Sequence, residues 1–177
     1  HNMPAVTRLC NRVIFLDEGE MRLDGASHEV VKAYLTSEIG TMSSREWLSS
    51  SKAPGGEVVR LRAVRVRNEE GQSSEKMDIR KPVGIDMEYE VLKPDYKLMP
   101  AVVLHNEEGV RLFAAIEHDP AWRGRTRPAG RYLSTAWIPG NYLAEGTLFV
   151  DVEMLTLEPA IEQFRERQTV AFMITDS

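Results

Sequence analysis

Alternation of apolar and polar positions dominates the chain beyond residue 57. It is clearest in the segment PVGIDMEYEV, where one set of positions is wholly apolar and the intervening set is largely acidic. The apolar set is Val83, Ile85, Met87, Tyr89 and Val91, and the acidic positions are Asp86, Glu88 and Glu90. A period of two residues predicts a β-strand with one buried face and one solvated face.

Six further segments share this character, and turn-rich loops separate them. Together with PVGIDMEYEV, they give seven candidate strands, at residues 58–67, 82–91, 99–106, 110–117, 130–138, 147–154 and 169–175. Short strands at such regular spacing are typical of a β-sandwich. In the strand at 58–67 the apolar residues change from odd to even positions at Ala63 and Val64, which predicts a β-bulge there that keeps the apolar side chains inward.

Four arginines lie on or beside the polar face of that first strand. They are Arg60, Arg62, Arg65 and Arg67. One interpretation is an anion-binding stripe. The other is a solvated face whose arginines pair with the acidic positions of a neighbouring strand.

The first 35 residues follow a mixed pattern. Ala5, Val6, Leu9 and Cys10 form one apolar helical stripe, and a strand pair at 13–16 and 21–23 encloses a turn. Ser27 can then cap a second helix. The predicted order is therefore helix, hairpin, helix.

Composition changes between these two parts of the chain. From residue 36 to 57, Ser, Gly and Pro concentrate and periodicity is lost, which predicts a linker at 39–56 between a tail at 1–38 and a sandwich at 57–177. Trp47 interrupts the linker. Either it packs on its own domain through a short helical turn, or it is a docking point for a neighbouring domain.

Overall composition is that of a globular protein, with 42% hydrophobic and 28% charged residues among 177. A net charge of -5 argues against a general nucleic-acid binder. The single cysteine excludes an internal disulfide framework, and no apolar run reaches the roughly 18 residues of a membrane span. None of the 12 glycines is followed by Lys, so the chain has no phosphate-binding G-K-[ST] loop and is not expected to be an enzyme.

The helix, hairpin, helix order of residues 1–35 resembles the stretch that follows the switch histidine in ABC transporter ATPases. His1-Asn2 stands where that histidine and the next residue stand in the family. The resemblance implies that residues 1–38 are the end of a nucleotide-binding domain, and that His1 contacts the γ-phosphate in a full-length protein. The alternative is that His1 is not native to this segment.

Residues 57–177 carry a second resemblance. The ordered segments P-V-x-I-x-M-x-Y, H-N-E-E-G-V-R-L-F, G-R-Y-L-S-T-A-W-I-P and L-A-E-G are similar to the C-terminal domain of Wzt-type ATPases. These proteins power ABC export of bacterial O-antigen and related surface polysaccharides, in lipopolysaccharide biosynthesis among other pathways. The resemblance implies a mainly β fold, an immunoglobulin-like or jelly-roll β-sandwich, preceded by the short α/β tail.

The same resemblance implies partners and a place in the cell. The domain would recognise the finished polysaccharide, form a homodimer by exchanging strands, and act in the cytoplasm at the inner membrane beside a membrane-spanning exporter subunit. No nucleic-acid partner is implied. A second hypothesis is a dimerisation or regulatory domain of an ABC ATPase without a ligand of its own.

Candidate glycan-binding residues follow from the chemistry of sugar recognition, which uses aromatic rings and polar groups that hydrogen-bond hydroxyls. Trp137 is either an exposed platform or a buried core residue. Both faces of its strand carry apolar residues, Tyr132 and Ile138 on one face and Leu133 and Trp137 on the other, so alternation does not show which face is buried. Trp122 with Arg123, Arg125, Arg127 and Arg131 forms either a basic, aromatic loop suited to a phosphate or uronate, or a solvated loop.

His105 and His118 are either hydrogen-bonding groups for a ligand or structural histidines. Neither has a second histidine or cysteine at the spacing of a metal site. The sequence therefore predicts no metal, no cofactor and no catalytic residue.

Overall fold

The computed structural model describes residues 3–17, 19–38, 43–49, 51–107 and 109–176. Two helices and eleven strands lie in these ranges. In chain order they are α1 (Met3–Leu9), β1 (Arg12–Asp17), β2 (Glu20–Ala26), α2 (Ser27–Glu38), β3 (Ser44–Glu46), β4 (Val59–Arg67), β5 (Lys76–Asp78), β6 (Val83–Val91), β7 (Lys97–Asn106), β8 (Arg111–Ile116), β9 (Gly130–Ile138), β10 (Gly146–Leu157) and β11 (Ile161–Thr175).

Nine of the strands form two sheets packed face to face. The larger sheet has the order β5-β11-β10-β7-β8, and the smaller has the order β3-β4-β6-β9. All neighbours are antiparallel except β11 and β5, which are parallel. The fold is mainly β and is a sandwich, which confirms the predicted fold class.

The core lies between the sheets and is built from the alternating apolar positions. All five apolar residues of the segment 83–91 are buried, and they face buried residues of β10 such as Val150 and Met154. The register of β4 against β6 shifts between Leu61 and Ala63, so the bulged residue is Arg62. The bulge lies just before the predicted position, and it returns Val64 and Val66 to the core.

The described part of the segment predicted as a linker belongs to the sandwich. β3 pairs with β4, and the N–H of Trp47 donates to the carbonyl of Arg62 at 2.8 Å. Trp47 and Ala53 are buried in the main core, and the Arg45 guanidinium lies 5.0 Å from the Trp47 ring centroid. Trp47 thus packs on its own domain, next to a short strand instead of in a helical turn. The serine-rich composition of this segment does not indicate a strand, because a three-residue edge strand forms only through its hydrogen bonds to the neighbouring strand, here β4.

The N-terminal elements follow the predicted order of helix, hairpin and helix. They pack on the outer face of the five-stranded sheet, where Met3 contacts the buried pair Phe149 and Ala171. An ion pair of 3.1 Å between Lys32 and Glu75 adds a polar contact. Part of this sheet face is therefore covered, whereas the assignment of residues 1–38 to a nucleotide-binding domain stays a prediction.

Candidate functional site

The outer face of the four-stranded sheet presents side chains in cross-strand rows. Register places Arg67, Gly84 and Trp137 in one row, with Arg65, Asp86 and Thr135 in the next. A third row runs from Glu46 through Ala63 and Glu88 to Leu133. We call this surface the ladder face; its members are Glu46, Arg62, Ala63, Arg65, Arg67, Gly84, Asp86, Glu88, Glu90, Arg131, Leu133, Thr135 and Trp137.

Ion pairs cross the ladder face between neighbouring strands. Arg62 pairs with Glu90, Arg65 with Glu46 at 2.7 Å and Glu88 at 3.4 Å, Arg67 with Asp86 at 2.7 Å, and Arg131 with Glu88 at 3.5 Å. The hydrogen bond to Glu46 is the main cause that raises the pKa of Arg65. Of the two interpretations of the β4 arginines, the paired face is confirmed for Arg62, Arg65 and Arg67.

Trp137 is exposed on the ladder face, with 47% of the residue's surface accessible. Its neighbour Ile138 points into the core and is buried, while Tyr132 and Ala136 pack against the core. The alternation along β9 therefore has the phase in which Trp137 faces outward. The interpretation as a buried sandwich tryptophan is wrong.

Gly84 provides the seat for the Trp137 ring. A Cβ atom built on Gly84 would lie 3.0–3.3 Å from three ring carbons, so the ring rests directly on the glycine. The Arg67 guanidinium lies 4.6 Å from the ring centroid, within range of a cation–π contact. The Trp137 ring is thus in contact with the Gly84 backbone and with the Arg67 guanidinium.

A buried carboxylate holds that cation in place. Arg67 Nε donates to Asp86 Oδ2 at 2.7 Å, and Thr135 Oγ1 donates to Asp86 Oδ1 at 2.7 Å. Asp86 is itself buried, so both oxygens are directed at these partners. A rigid aromatic surface beside fixed polar groups is the arrangement that sugar recognition requires, because its shape exists before the ligand arrives.

Gly84→Ala is expected to displace the Trp137 ring without unfolding the sandwich. The new methyl group meets the ring below normal contact distance, whereas Gly84 lies in an ordinary strand conformation that alanine adopts. We expect the free energy of unfolding to change by less than about 1 kcal/mol. Urea unfolding and the indole NMR signal of Trp137 test this; an unmoved signal would contradict it.

Trp122 lies away from the ladder face and contacts Tyr132, which packs against the core. Its half-buried ring packs edge-on against Tyr132, with centroids 5.4 Å apart. Tyr132 points to the opposite side of β9 from Trp137, so the structure does not bring the two tryptophans together. Arg123 and Arg125 are exposed on the same loop as Trp122. A ligand-binding role for these three residues stays a prediction.

Arg127 was predicted to lie in a loop that is either ligand-binding or solvated, but it is buried. Its guanidinium lies 5.4–5.8 Å from the ring centroids of Trp122, Tyr89 and Tyr132. It donates to the Tyr89 hydroxyl and to Glu117, and Glu117 also accepts from the Ser134 hydroxyl. This network, Arg127–Glu117–Tyr89–Ser134, ties the loop between β8 and β9 to the core.

Burial raises the pKa of Tyr89 to about 12, outweighing the opposing effects of Ser134 and Arg127. The unfolded chain ionises this tyrosine near its ordinary pKa of about 10, and the folded protein does not. Stability should therefore fall as pH rises from about 10 towards 12, by about 2–3 kcal/mol in total from this group. Urea unfolding against pH checks this, and Tyr89→Phe should lose that part of the slope. An unchanged slope in the variant would contradict the assignment.

The two candidate histidines lie apart from Trp137. His105 Nδ1 is 3.6 Å from Asp151 Oδ2, in a groove of about 210 Å³ on the outer face of the five-stranded sheet. His118 is exposed, and its Nδ1 lies 2.9 Å from the Ile116 carbonyl in a cleft of about 280 Å³ between β8 and β9. Thr135 and Leu133 also line this cleft, so His118 is the nearer of the two to the ladder face. His1 lies outside the described residues.

The described residues contain no group of three or more His, Cys, Asp or Glu side chains placed to hold a metal ion. None of the helices in the described ranges is long and apolar enough to cross a membrane.

Comparison with known proteins places the fold. No family model matches the sequence, and no curated protein sequence matches it. Among solved structures, the C-terminal domain of Wzt matches with a TM-score of 0.59 and 11% sequence identity, over 75% of this chain and 83% of that chain. The sandwich described above therefore has the fold of the Wzt C-terminal domain, as the sequence resemblance implied.

Proposed function

We propose that this chain is the carbohydrate-binding part of a bacterial polysaccharide ABC exporter, which recognises an O-antigen-type glycan and couples it to export. The observation that carries the proposal is the exposed Trp137 ring, seated on Gly84 and held beside Arg67. The Wzt-like fold supports the exporter context. The role is recognition without catalysis.

The chemistry of the ladder face suits a sugar. The accessible indole offers an aromatic surface for the C–H groups of a sugar ring, and such contacts need no charge on the ligand. Thr135 and the guanidinium of Arg67 stand beside the ring as hydrogen-bonding groups for hydroxyls. An exposed tryptophan with nearby oriented polar groups is the combination expected of a ligand site.

The position of the N-terminal elements favours the same face. The outer face of the five-stranded sheet is partly occupied by Met3, which contacts Phe149 and Ala171. Lys32 of α2 pairs with Glu75 next to β5, and the Met3 N–H donates to Gln168 of β11, so these contacts also lie on the side of the five-stranded sheet. We therefore assign glycan binding to the four-stranded sheet.

The remaining context is proposed from the family resemblance. Residues 1–38 would end a nucleotide-binding domain in which His1 is the switch histidine. The protein would form a homodimer and work in the cytoplasm at the inner membrane, beside a membrane-spanning exporter subunit. Its other partner is the polysaccharide.

A dimerisation or regulatory domain without a ligand is the second candidate. Edge strands favour it, because β8 and β9 each have only one strand neighbour among the described residues. Leu112 and Ile116 of β8 are also exposed. An unpaired edge with apolar side chains can pair with a second chain.

Titration of the chain with the surface polysaccharide of its own source separates the two candidates. Glycan binding predicts a change in Trp137 fluorescence and NMR shifts confined to the ladder face. A dimer by light scattering with no response to the polysaccharide would instead favour the second candidate.

A further inference from the structure

We propose that the ladder face takes an uncharged stretch of glycan that runs along β9 from Trp137 to Leu133. This inference rests on the proposed function and adds the class of sugar and the direction of the chain. It follows from two independent features, the charge balance of the face and the spacing of its apolar side chains.

The arginines of the ladder face are paired, and carboxylates outnumber them along the proposed path. The three rows from Trp137 to Leu133 carry the carboxylates Glu46, Asp86 and Glu88 against the arginines Arg65 and Arg67. Each arginine already has a carboxylate partner, so an acidic sugar would have to displace that partner and lie close to its charge. Repulsion between like charges in a partly desolvated site disfavours an anionic ligand.

Other arginines lie too far from Trp137 to change this balance. Arg60 lies opposite Glu90 in the same cross-strand row as Arg131, one row beyond Leu133 and roughly 20 Å along the sheet from the row of Trp137. Arg123 and Arg125 belong to the loop that packs on the other side of β9. Because the arginines near Trp137 are already paired with carboxylates, the site accommodates an uncharged sugar.

The apolar side chains define a path. Leu133 is 58% exposed and Trp137 is 47% exposed, on the same face of β9 with Thr135 between them. Four residues of strand separate their Cα atoms by roughly 13 Å. One sugar ring does not span that distance, so contact with both side chains requires linked units lying along the strand.

The experiment is an array of bacterial surface polysaccharides and their fragments of increasing length, with neutral repeats and with repeats bearing uronic acid or phosphate. We expect the bound members to be neutral. Raising NaCl from about 50 to about 500 mM should change their affinity less than about twofold, because no net charge is neutralised on binding.

Leu133→Ala tests the path. It should weaken binding of the longer fragments about three- to tenfold and leave the shortest binding fragments unaffected, since only the longer ones reach Leu133. Leu112→Ala is the matched control, because Leu112 is also exposed but lies on the edge of the other sheet. It should leave affinity for every fragment unchanged.

The outcomes separate this inference from the proposed function. Binding of acidic glycans that weakens steeply with salt would leave the proposed function standing and overturn the uncharged class. Equal effects of Leu133→Ala on short and long fragments would overturn the path along β9. If no glycan bound at all, both the inference and the proposed function would fail.

Discussion

Trp137→Ala is expected to abolish binding of the source polysaccharide while the sandwich stays folded. Trp137 is half exposed and its ring rests on a glycine, so its removal takes away the proposed sugar contact and little of the core. The main intramolecular loss is the contact with Arg67, about 0.5–1 kcal/mol for an exposed cation–π pair. A buried tryptophan would cost about 3–5 kcal/mol instead. Calorimetric titration and thermal unfolding measure the two quantities on the same sample.

Two other variants make the result specific. Trp137→Phe keeps a smaller aromatic surface and should retain part of the affinity. Trp122→Ala should lower the melting temperature, because Trp122 packs against Tyr132 and Arg127, yet the folded fraction should still bind. Full affinity in Trp137→Ala would contradict the platform, and a fall in stability like that of a core residue would contradict its exposure.

The strands that alternate most regularly were predictable from sequence. In β6 every apolar position is buried, because one face of that strand covers the core and the other carries acidic residues to pair with arginines. β9 was predicted with its observed bounds, Gly130–Ile138. Where one face of a strand is uniformly apolar, burial fixes its orientation without further information.

Strands without alternation were missed. β3 and β5 have three residues each, and Ser44–Glu46 contains no apolar residue at all. Their pairing depends on β4 and β11, which are distant in sequence. β11 also begins at Ile161, eight residues before the predicted start, because pairing with the long β10 extends it through a charged segment.

The site was only partly accessible to sequence reasoning. Trp137 was singled out as an aromatic residue, but its phase was open until Ile138 could be placed in the core. Gly84 and Arg67 were not connected with it, because their proximity depends on cross-strand register between three strands. A single sequence does not specify that register.

For Arg127, in contrast, the sequence suggested exposure to solvent, whereas the side chain is buried. A charged residue among turn residues and other arginines reads as solvent-exposed, since charged side chains are seldom fully buried. Its burial results from Glu117 and Trp122 of its own loop together with Tyr89 of β6. Tyr89 is 38 residues away, so the sequence gives no local signal that this loop folds onto β6.

Arg127→Ala is expected to destabilise the sandwich by about 3–5 kcal/mol, the usual cost of removing one partner from a buried ion pair. The Arg127 side chain is 1% exposed, and its guanidinium donates hydrogen bonds to Glu117 and Tyr89. Its loss leaves the mostly buried Glu117 carboxylate with only the Ser134 hydroxyl among its described partners. It also opens a cavity between three aromatic rings. Urea unfolding measures the change.

Arg125→Ala is the matched control, because Arg125 is exposed on the same loop and should change stability by no more than about 0.5 kcal/mol. Arg127→Lys should restore little, since an ammonium cannot contact Glu117 and Tyr89 with the fixed geometry of a guanidinium. A cycle with Glu117→Gln isolates the pair: if Arg127 acts through Glu117, the two changes together should cost less than the sum of each alone. Additive effects, or an Arg127→Ala loss as small as that of Arg125→Ala, would show that the network does not hold the loop to the core.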